Sequence, residues 1–153
     1  MVARQAIDSF LAERTLAVVG VSRSGAKFGN TIYTELKNRG YTVYPVNPNT
    51  ERLGQETCYP DLQSLPVGVG GVVVVVEPAQ TEQVVRQAKE AGINKIWMQQ
   101  GAQSDAAIEF CEQNGIEVVS KRCIMMFVEP VESIHKFHRF LAKVFGTYPR
   151  ATA

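Results

Sequence analysis

The stretch that most constrains this 153-residue chain is LAVVGVSRSGAKFG, from Leu16 to Gly29. Apolar residues run from Leu16 to Val19 and stop at Gly20. A loop of small and basic residues follows, and beyond Asn30 the apolar spacing turns helical. A buried strand feeding a glycine-rich turn and then a helix leaves backbone N–H groups free at the helix start, where they can receive a phosphate. A strand apolar on both faces also belongs in mid-sheet, with helices on either side. One short stretch therefore predicts an architecture as well as a site.

The rest of the chain supplies the missing layers. Asp8 to Leu11 reads as part of a leading helix ending near Arg14, and residues 15–21 as the first strand. Residues 30–39 fit a helix with Ile32, Tyr33 and Leu36 inward and Gly40 as its stop. Residues 41–46 form a second strand, ended by Asn47-Pro48-Asn49; 56–59 read as a short edge strand and 60–65 as a turn of helix. Residues 71–76 are so β-branched that a sheet centre suits them. A helix over 80–91 buries Val84, Val85 and Ala88. Then come a strand at 95–98, a helix at 104–114 with Ser104 as N-cap, and a last strand at 116–120. Residues 129–145 close the chain as an amphipathic helix with Ile134, Phe137, Leu141 and Val144 at helical spacing.

Alternation of strand and helix from end to end predicts an α/β, three-layer, doubly wound fold with a mostly parallel sheet and an extra C-terminal helix. The expected strand order is 3-2-1-4-5-6, and ligands bind where that order reverses. The crevice then lies between the first strand's exit, Gly20-Val21-Ser22, and the exit at Glu77-Pro78. Gln99, Gln100 and Gly101 leave the fifth strand at the same end, where their amides can serve a ligand or cap neighbouring loops.

Bulk properties narrow the partners. Hydrophobic residues at 45% and charged residues at 20% predict one globular domain spanning residues 1–153. A net charge of +1 with interspersed signs offers no field for nucleic acid or a membrane. Cys58, Cys111 and Cys123 are odd in number and lack metal-like spacing, which predicts reduced thiols in the cytoplasm. MVARQAIDSFL has no signal-peptide core, and no apolar run approaches the roughly 20 residues of a membrane span.

Known phosphate-binding patterns fit the turn only in part. Against G-x-G-x-x-G, the chain has Gly20, Ser22 and Gly25, and the corner after the second strand reads Pro45-Val46-Asn47-Pro48, without the carboxylate that holds a ribose 2′-hydroxyl. Against the P-loop, Ala26 is inserted before Lys27 and Phe28 replaces the magnesium-binding hydroxyl. What is present, Arg23 and Lys27 in the loop and no acid at the corner, suits a ligand with an extra phosphate near its ribose. Coenzyme A and NADP both meet that description.

VVGVSR (Val18 to Arg23), YPVNP (Tyr44 to Pro48), CYPDLQSLP (Cys58 to Pro66), IWMQQGA (Ile96 to Ala102) and VVSKRCIM (Val118 to Met125) together resemble the stand-alone CoA-binding domain family. That family is similar to the N-terminal domain of the succinyl-CoA synthetase α subunit. The resemblance covers about residues 5–127 and implies a Rossmann-like fold. It implies that Gly20, Val21 and Ser22 contact the CoA phosphates with Arg23 beside them. Phe28, Gly29 and Asn30 start the helix against the ligand, and Val46, Asn47 and Pro48 flank the adenosine. Where the family carries an Asp-x-Val-x-Phe-Arg-like stretch, this chain reads Val72 to Pro78, with the acid Glu77 and no basic residue.

Catalytic machinery is absent from this reading. The synthetase needs a phosphorylated histidine and an ATP-grasp partner, both outside its CoA-binding domain. His135 and His138, near Glu132, read as helix-face residues, since a zinc site needs three or four ligands. Cys123 reads either as a thiol able to form a mixed disulfide with CoA or as a small buried hydrophobe. The expected function is non-catalytic binding of CoA or an acyl-CoA, as carrier, sensor or accessory subunit, with a homodimer or protein partner open. Two alternatives stand beside it: an NADP- or NAD-binding module or small oxidoreductase, and the CoA-binding subunit of a two-chain acyl-CoA ligase.

Overall fold

The leading helix, α1 (Arg4–Ala12), feeds strand β1 (Thr15–Val19), whose last four residues are buried. The computed structural model, which describes residues 4–128, builds the sheet around that strand. Helix α2 (Phe28–Asn38) leads to β2 (Thr42–Val46), parallel to β1. A hairpin of β3 (Arg52–Leu53) and β4 (Glu56–Thr57) follows, and then β5 (Gly71–Val74) pairs with the opposite edge of β1. Helix α3 (Pro78–Glu90), β6 (Lys95–Gln99), α4 (Asp105–Gln113), β7 (Glu117–Arg122) and a 3₁₀ turn (Ile124–Met126) complete the described chain. The main sheet has the order β2-β1-β5-β6-β7, all parallel.

Strand periodicity divides the core in two. Leu16 and Val18 point to one face, under Ile7 and Phe10 of α1 and Ile32 and Leu36 of α2. Ala17 and Val19 point to the other, under Val84, Val85 and Ala88 of α3 and Ala107 and Cys111 of α4. This is the three-layer α/β arrangement with helices on both sides. Ser104 caps α4 as expected, accepting the Ala107 N–H at 3.3 Å.

Two local expectations are corrected. The edge strand at 56–59 does not join the sheet as a strand. Glu56 and Thr57 are both exposed and pair instead with Arg52 and Leu53, while only Tyr59 reaches β2, in a single parallel bridge to Val46. Tyr59 donates to the Pro45 carbonyl and accepts from the Asn47 N–H, both at 2.9 Å. Pro45 has no N–H to offer the next rung, so the ladder stops there. The order is therefore 2-1-4-5-6 in the expected numbering, with position 3 reduced to one bridge. Residues 60–65 form a turn rather than helix: Asp61 accepts from the backbone N–H and hydroxyl of Ser64 at 2.8 and 2.7 Å, a local bond that competes with helix. The closing helix expected at 129–145 lies outside the described residues.

Candidate functional site

The chain passes from β2 back across β1 to β5, so the strand order reverses between β1 and β5 and the loops leaving them part company. A cleft of about 690 Å³ opens there. Its walls are Gly20 and Val21 after β1, Lys27 to Gly29 at the start of α2, residues 46–49 after β2, 75–78 after β5 and 99–102 after β6.

The turn after β1 depends on two glycines. Gly20 has φ +122°, and a Cβ on it would collide with the Val75 carbonyl. A Cβ on Gly29 would strike the Gly20 carbonyl. The β1 exit, the β5 exit and the first turn of α2 thus pack backbone to backbone, which no side chain permits.

Two asparagines hold the same turn. Asn30, buried to 6% exposure on α2, accepts the Ser22 N–H at 2.8 Å and donates to the Ser22 carbonyl at 3.0 Å. Asn47, just past β2, donates to the Val21 carbonyl at 2.8 Å and accepts the Asn49 N–H at 2.7 Å. Within the loop Ser22 and Ser24 share a hydroxyl–hydroxyl bond of 2.9 Å, and the Gly25 N–H donates to the Ser22 carbonyl at 3.1 Å.

The two helices that begin at the cleft differ in what they present. At the start of α2 the N-cap is Lys27, and no side chain caps the first turn. The Asn30 N–H bonds back to the Lys27 carbonyl at 3.0 Å, while those of Phe28 and Gly29 have no acceptor inside the helix. Phe28 is 46% exposed at the rim. At the start of α3 the N-cap is Glu77 and the first helical residue is Pro78, which has no N–H. Thr81, fully buried, donates to the Ala102 carbonyl at 2.6 Å and ties this helix to the loop after β6. Gln99, 2% exposed, accepts the Ile124 N–H on its side-chain oxygen at 3.0 Å, which ties the exit of β6 to the turn after β7.

Of the residues singled out from sequence, Gly20, Val21, Lys27, Phe28, Gly29, Val46, Asn47, Pro48, Glu77, Pro78, Gln99 and Gly101 are brought together around the cleft. Ser22, Arg23 and Asn30 stand behind the turn rather than in the lining, and Arg23 is exposed. Val75, Val76, Gln80 and Ala102 line the cleft without having been expected there. Their signal was positional, since each flanks a strand exit already identified. Thr81 had a fainter one, a hydroxyl in the first turn of a helix otherwise polar on its outer face.

Cys58 and Cys111 are buried, and burial pushes both thiols up, that of Cys111 to about 11. Cys123 is half-buried and lies outside the cleft lining. Among the described residues no group of three or more His, Cys, Asp or Glu side chains could hold a metal, and no helix is long and apolar enough to cross a membrane. His135 and His138 fall outside the described residues.

Fold and cleft together define a Rossmann-like α/β domain with its crevice at the sheet's point of reversal. The profile of the CoA binding domain family matches residues 14–129, and the chain belongs to that family. It is 29% identical over 123 residues to acetate–CoA ligase [ADP-forming] I of Archaeoglobus fulgidus, covering 74% of this chain and 18% of the ligase. It is 23% identical over 129 residues to the α subunit of acetate–CoA ligase [ADP-forming] II of Pyrococcus furiosus, covering 77% of this chain and 28% of the subunit. The chain thus spans under a third of either ligase chain. A solved structure of a conserved hypothetical protein from Pyrococcus furiosus is 41% identical with a TM-score of 0.69, covering 72% of this chain and 96% of that one.

Proposed function

We propose that this protein binds coenzyme A or an acyl-CoA in the cleft at the C-terminal ends of β1 and β5, without catalysis of its own, as a single cytoplasmic domain. The observation that carries this reading is the bare first turn of α2, with Lys27 at its N-cap, opening on a glycine turn in a chain of the CoA binding domain family. Free N–H groups and one cation suit a phosphate. Phe28, exposed at the rim, contributes apolar surface, and the loops after β2 and β6 contribute backbone groups, which suit the uncharged parts of a long ligand. NAD is a poorer match: the corner residue is Asn47, already bonded at both ends to its own chain.

Thermal unfolding with CoA, acetyl-CoA, NAD, NADP and ATP in turn tests the proposal. A ligand at 100 times its dissociation constant adds about 2.7 kcal/mol, a rise of several degrees for a domain of this size. CoA species alone should give that rise. A shift with NADP alone would move the protein to the dinucleotide class, and no shift with any of the five would remove the reading.

A second reading is favoured by the relatives: that this chain is the CoA-binding part of an acyl-CoA ligase completed by another chain. One relative is itself named as an α subunit. Turnover of acetate, CoA and ATP by the purified chain plus an ATP-grasp protein, and by neither alone, would establish it.

A further inference from the structure

The carbonyl of Val21 and the N–H of Ser22 belong to one peptide group, and that group is gripped at both ends. Asn47 donates to its oxygen at 2.8 Å from the β2 side, and Asn30 accepts from its nitrogen at 2.8 Å from the α2 side. Asn30 then closes a second bond to the Ser22 carbonyl at 3.0 Å. We propose that Asn30 and Asn47 are paired positioning residues that lock the Val21–Ser22 peptide against flipping and so hold the turn ready before any ligand arrives. This rests on the reading of the cleft as a phosphate-receiving site and adds which groups do the receiving.

The lock has a chemical consequence. With its N–H spent on Asn30, Ser22 has no backbone donor for a phosphate. Reception passes to Lys27 and to the Phe28 and Gly29 N–H groups, which line the cleft on the other side of the turn. An amide is the right group for this work. Asn30 must offer an acceptor to one backbone N–H and a donor to one carbonyl; a carboxylate lacks the donor, and leucine lacks both. Asn30 is buried, so removing it would leave the Ser22 N–H without its partner and the Ser22 carbonyl with the Gly25 N–H. Asn47 stands at the corner where a dinucleotide site carries its ribose-binding acid. Here both ends of the side chain are turned to the protein, so the residue shapes the turn instead of reading a ribose.

Amide hydrogen exchange on the ligand-free protein, paired with calorimetric titration of CoA, tests the lock in wild type, Asn30→Ala, Asn47→Ala and Asn47→Asp. In wild type the Ser22 amide should exchange far more slowly than that of Ser24; in Asn30→Ala the two should match while the amides of β1 and β5 keep their protection. CoA affinity should fall about tenfold in each alanine variant, as expected when preorganisation is lost. Asn47→Asp should lose CoA affinity and gain none for NAD. Unchanged Ser22 protection in Asn30→Ala, or CoA affinities within twofold of wild type in both alanine variants, would overturn the proposal. So would NAD binding by Asn47→Asp. If wild type binds no CoA while Asn30→Ala still frees the Ser22 amide, the lock stands and the CoA reading falls. Should Asn30→Ala fail to fold, Asn47→Ala carries the titration, since it releases the carbonyl end of the same peptide while the Ser22 N–H stays on Asn30, and a CoA affinity within twofold of wild type there would overturn the proposal.

Discussion

The two helices that open on the cleft begin in opposite ways. Helix α2 starts after a long glycine loop, with Lys27 at its N-cap and no side chain over its first turn. Helix α3 starts straight from the β5 exit, with Glu77 at the same position and Pro78 in place of a backbone donor. Both carry the same partial positive charge at their N-terminus, equivalent to about half an elementary charge. Neither cap residue bonds the first turn through its side chain, so the α3 end differs in its carboxylate charge and in the donor that Pro78 removes. The α2 end has been left open. A helix dipole alone does not make an anion site; what stands at the cap decides whether the charge is already spent.

The largest effect that separates the two walls comes from the glycines. Gly20→Ala forces a Cβ into the Val75 carbonyl at φ +122°, and Gly29→Ala forces one into the Gly20 carbonyl. Strain and overpacking of this kind together cost roughly 2–6 kcal/mol, so the unfolding midpoint should drop by roughly 5–20 °C. Gly25→Ala is the control for space, because nothing lies within 4 Å of its added Cβ, and only its φ of +76° opposes it. If Gly20→Ala melts no earlier than Gly25→Ala, the close approach of the β1 and β5 exits is wrong.

Next is the charge on the open wall. Lys27→Glu should weaken CoA binding by ten- to a hundredfold, the equivalent of about 1.5–3 kcal/mol for a charged hydrogen bond, and the loss should shrink at high salt. Arg23→Glu, exposed and outside the cleft lining, should change affinity less than threefold. Titrations that rank Arg23 above Lys27 would put the phosphate on the outer side of the loop.

How much of this was legible depended on distance along the chain. Val18 and Val19 and the run of valines from Val72 to Val75 announced themselves as unbroken apolar runs, because central strands are buried on both faces, and the helix with Val84, Val85 and Ala88 by its period. So did the crevice, since a reversal of strand order follows from the alternation of elements. The pair Arg52–Thr57 did not, because two-residue strands have no period; nor did the failure of 56–59 to join the sheet, which turns on one missing N–H at Pro45. Asn30 and Asn47 were singled out as residues beside a ligand. Their bonds to Ser22 and Val21 join positions 8 and 26 residues apart, and no local pattern encodes such a meeting.

The two faces behind the walls each bury a thiol, Cys58 in the core on the α1 and α2 side and Cys111 on α4 itself, and a pH titration compares them. The Cys111 thiol rises from 9.0 to about 11, mainly through burial and secondarily through Glu112. A folded-state pKa above the unfolded one gives stability that is complete below pH 9 and is lost as pH climbs towards 11, because the unfolded chain releases the proton first. Roughly 1–2 kcal/mol should disappear over that window. Cys111→Ala should flatten the loss, and Cys58→Ala should flatten it less, as the Asn47 N–H beside Cys58 opposes the effect of burial there. In the native protein a thiol reagent at pH 8 should modify Cys123 ahead of either.

The smallest effect is the most informative about the comparison itself. Glu77 at the N-cap of α3 interacts favourably with the helix dipole, for about 0.3–1 kcal/mol at an exposed position. The same carboxylate repels any anion in the cleft. Glu77→Gln should therefore move two quantities in opposite directions: the unfolding midpoint should fall by a degree or two, and affinity for CoA should rise two- to fivefold. The gain should be larger for an acyl-CoA ending in a carboxylate than for acetyl-CoA if the acyl end lies along α3. Added salt should erase the affinity gain faster than the stability loss, since the ligand's charges are the more distant. A variant that loses stability and gains no affinity would mean that Glu77 serves only its own helix, and that all of the cleft's discrimination between anions lies on the α2 wall.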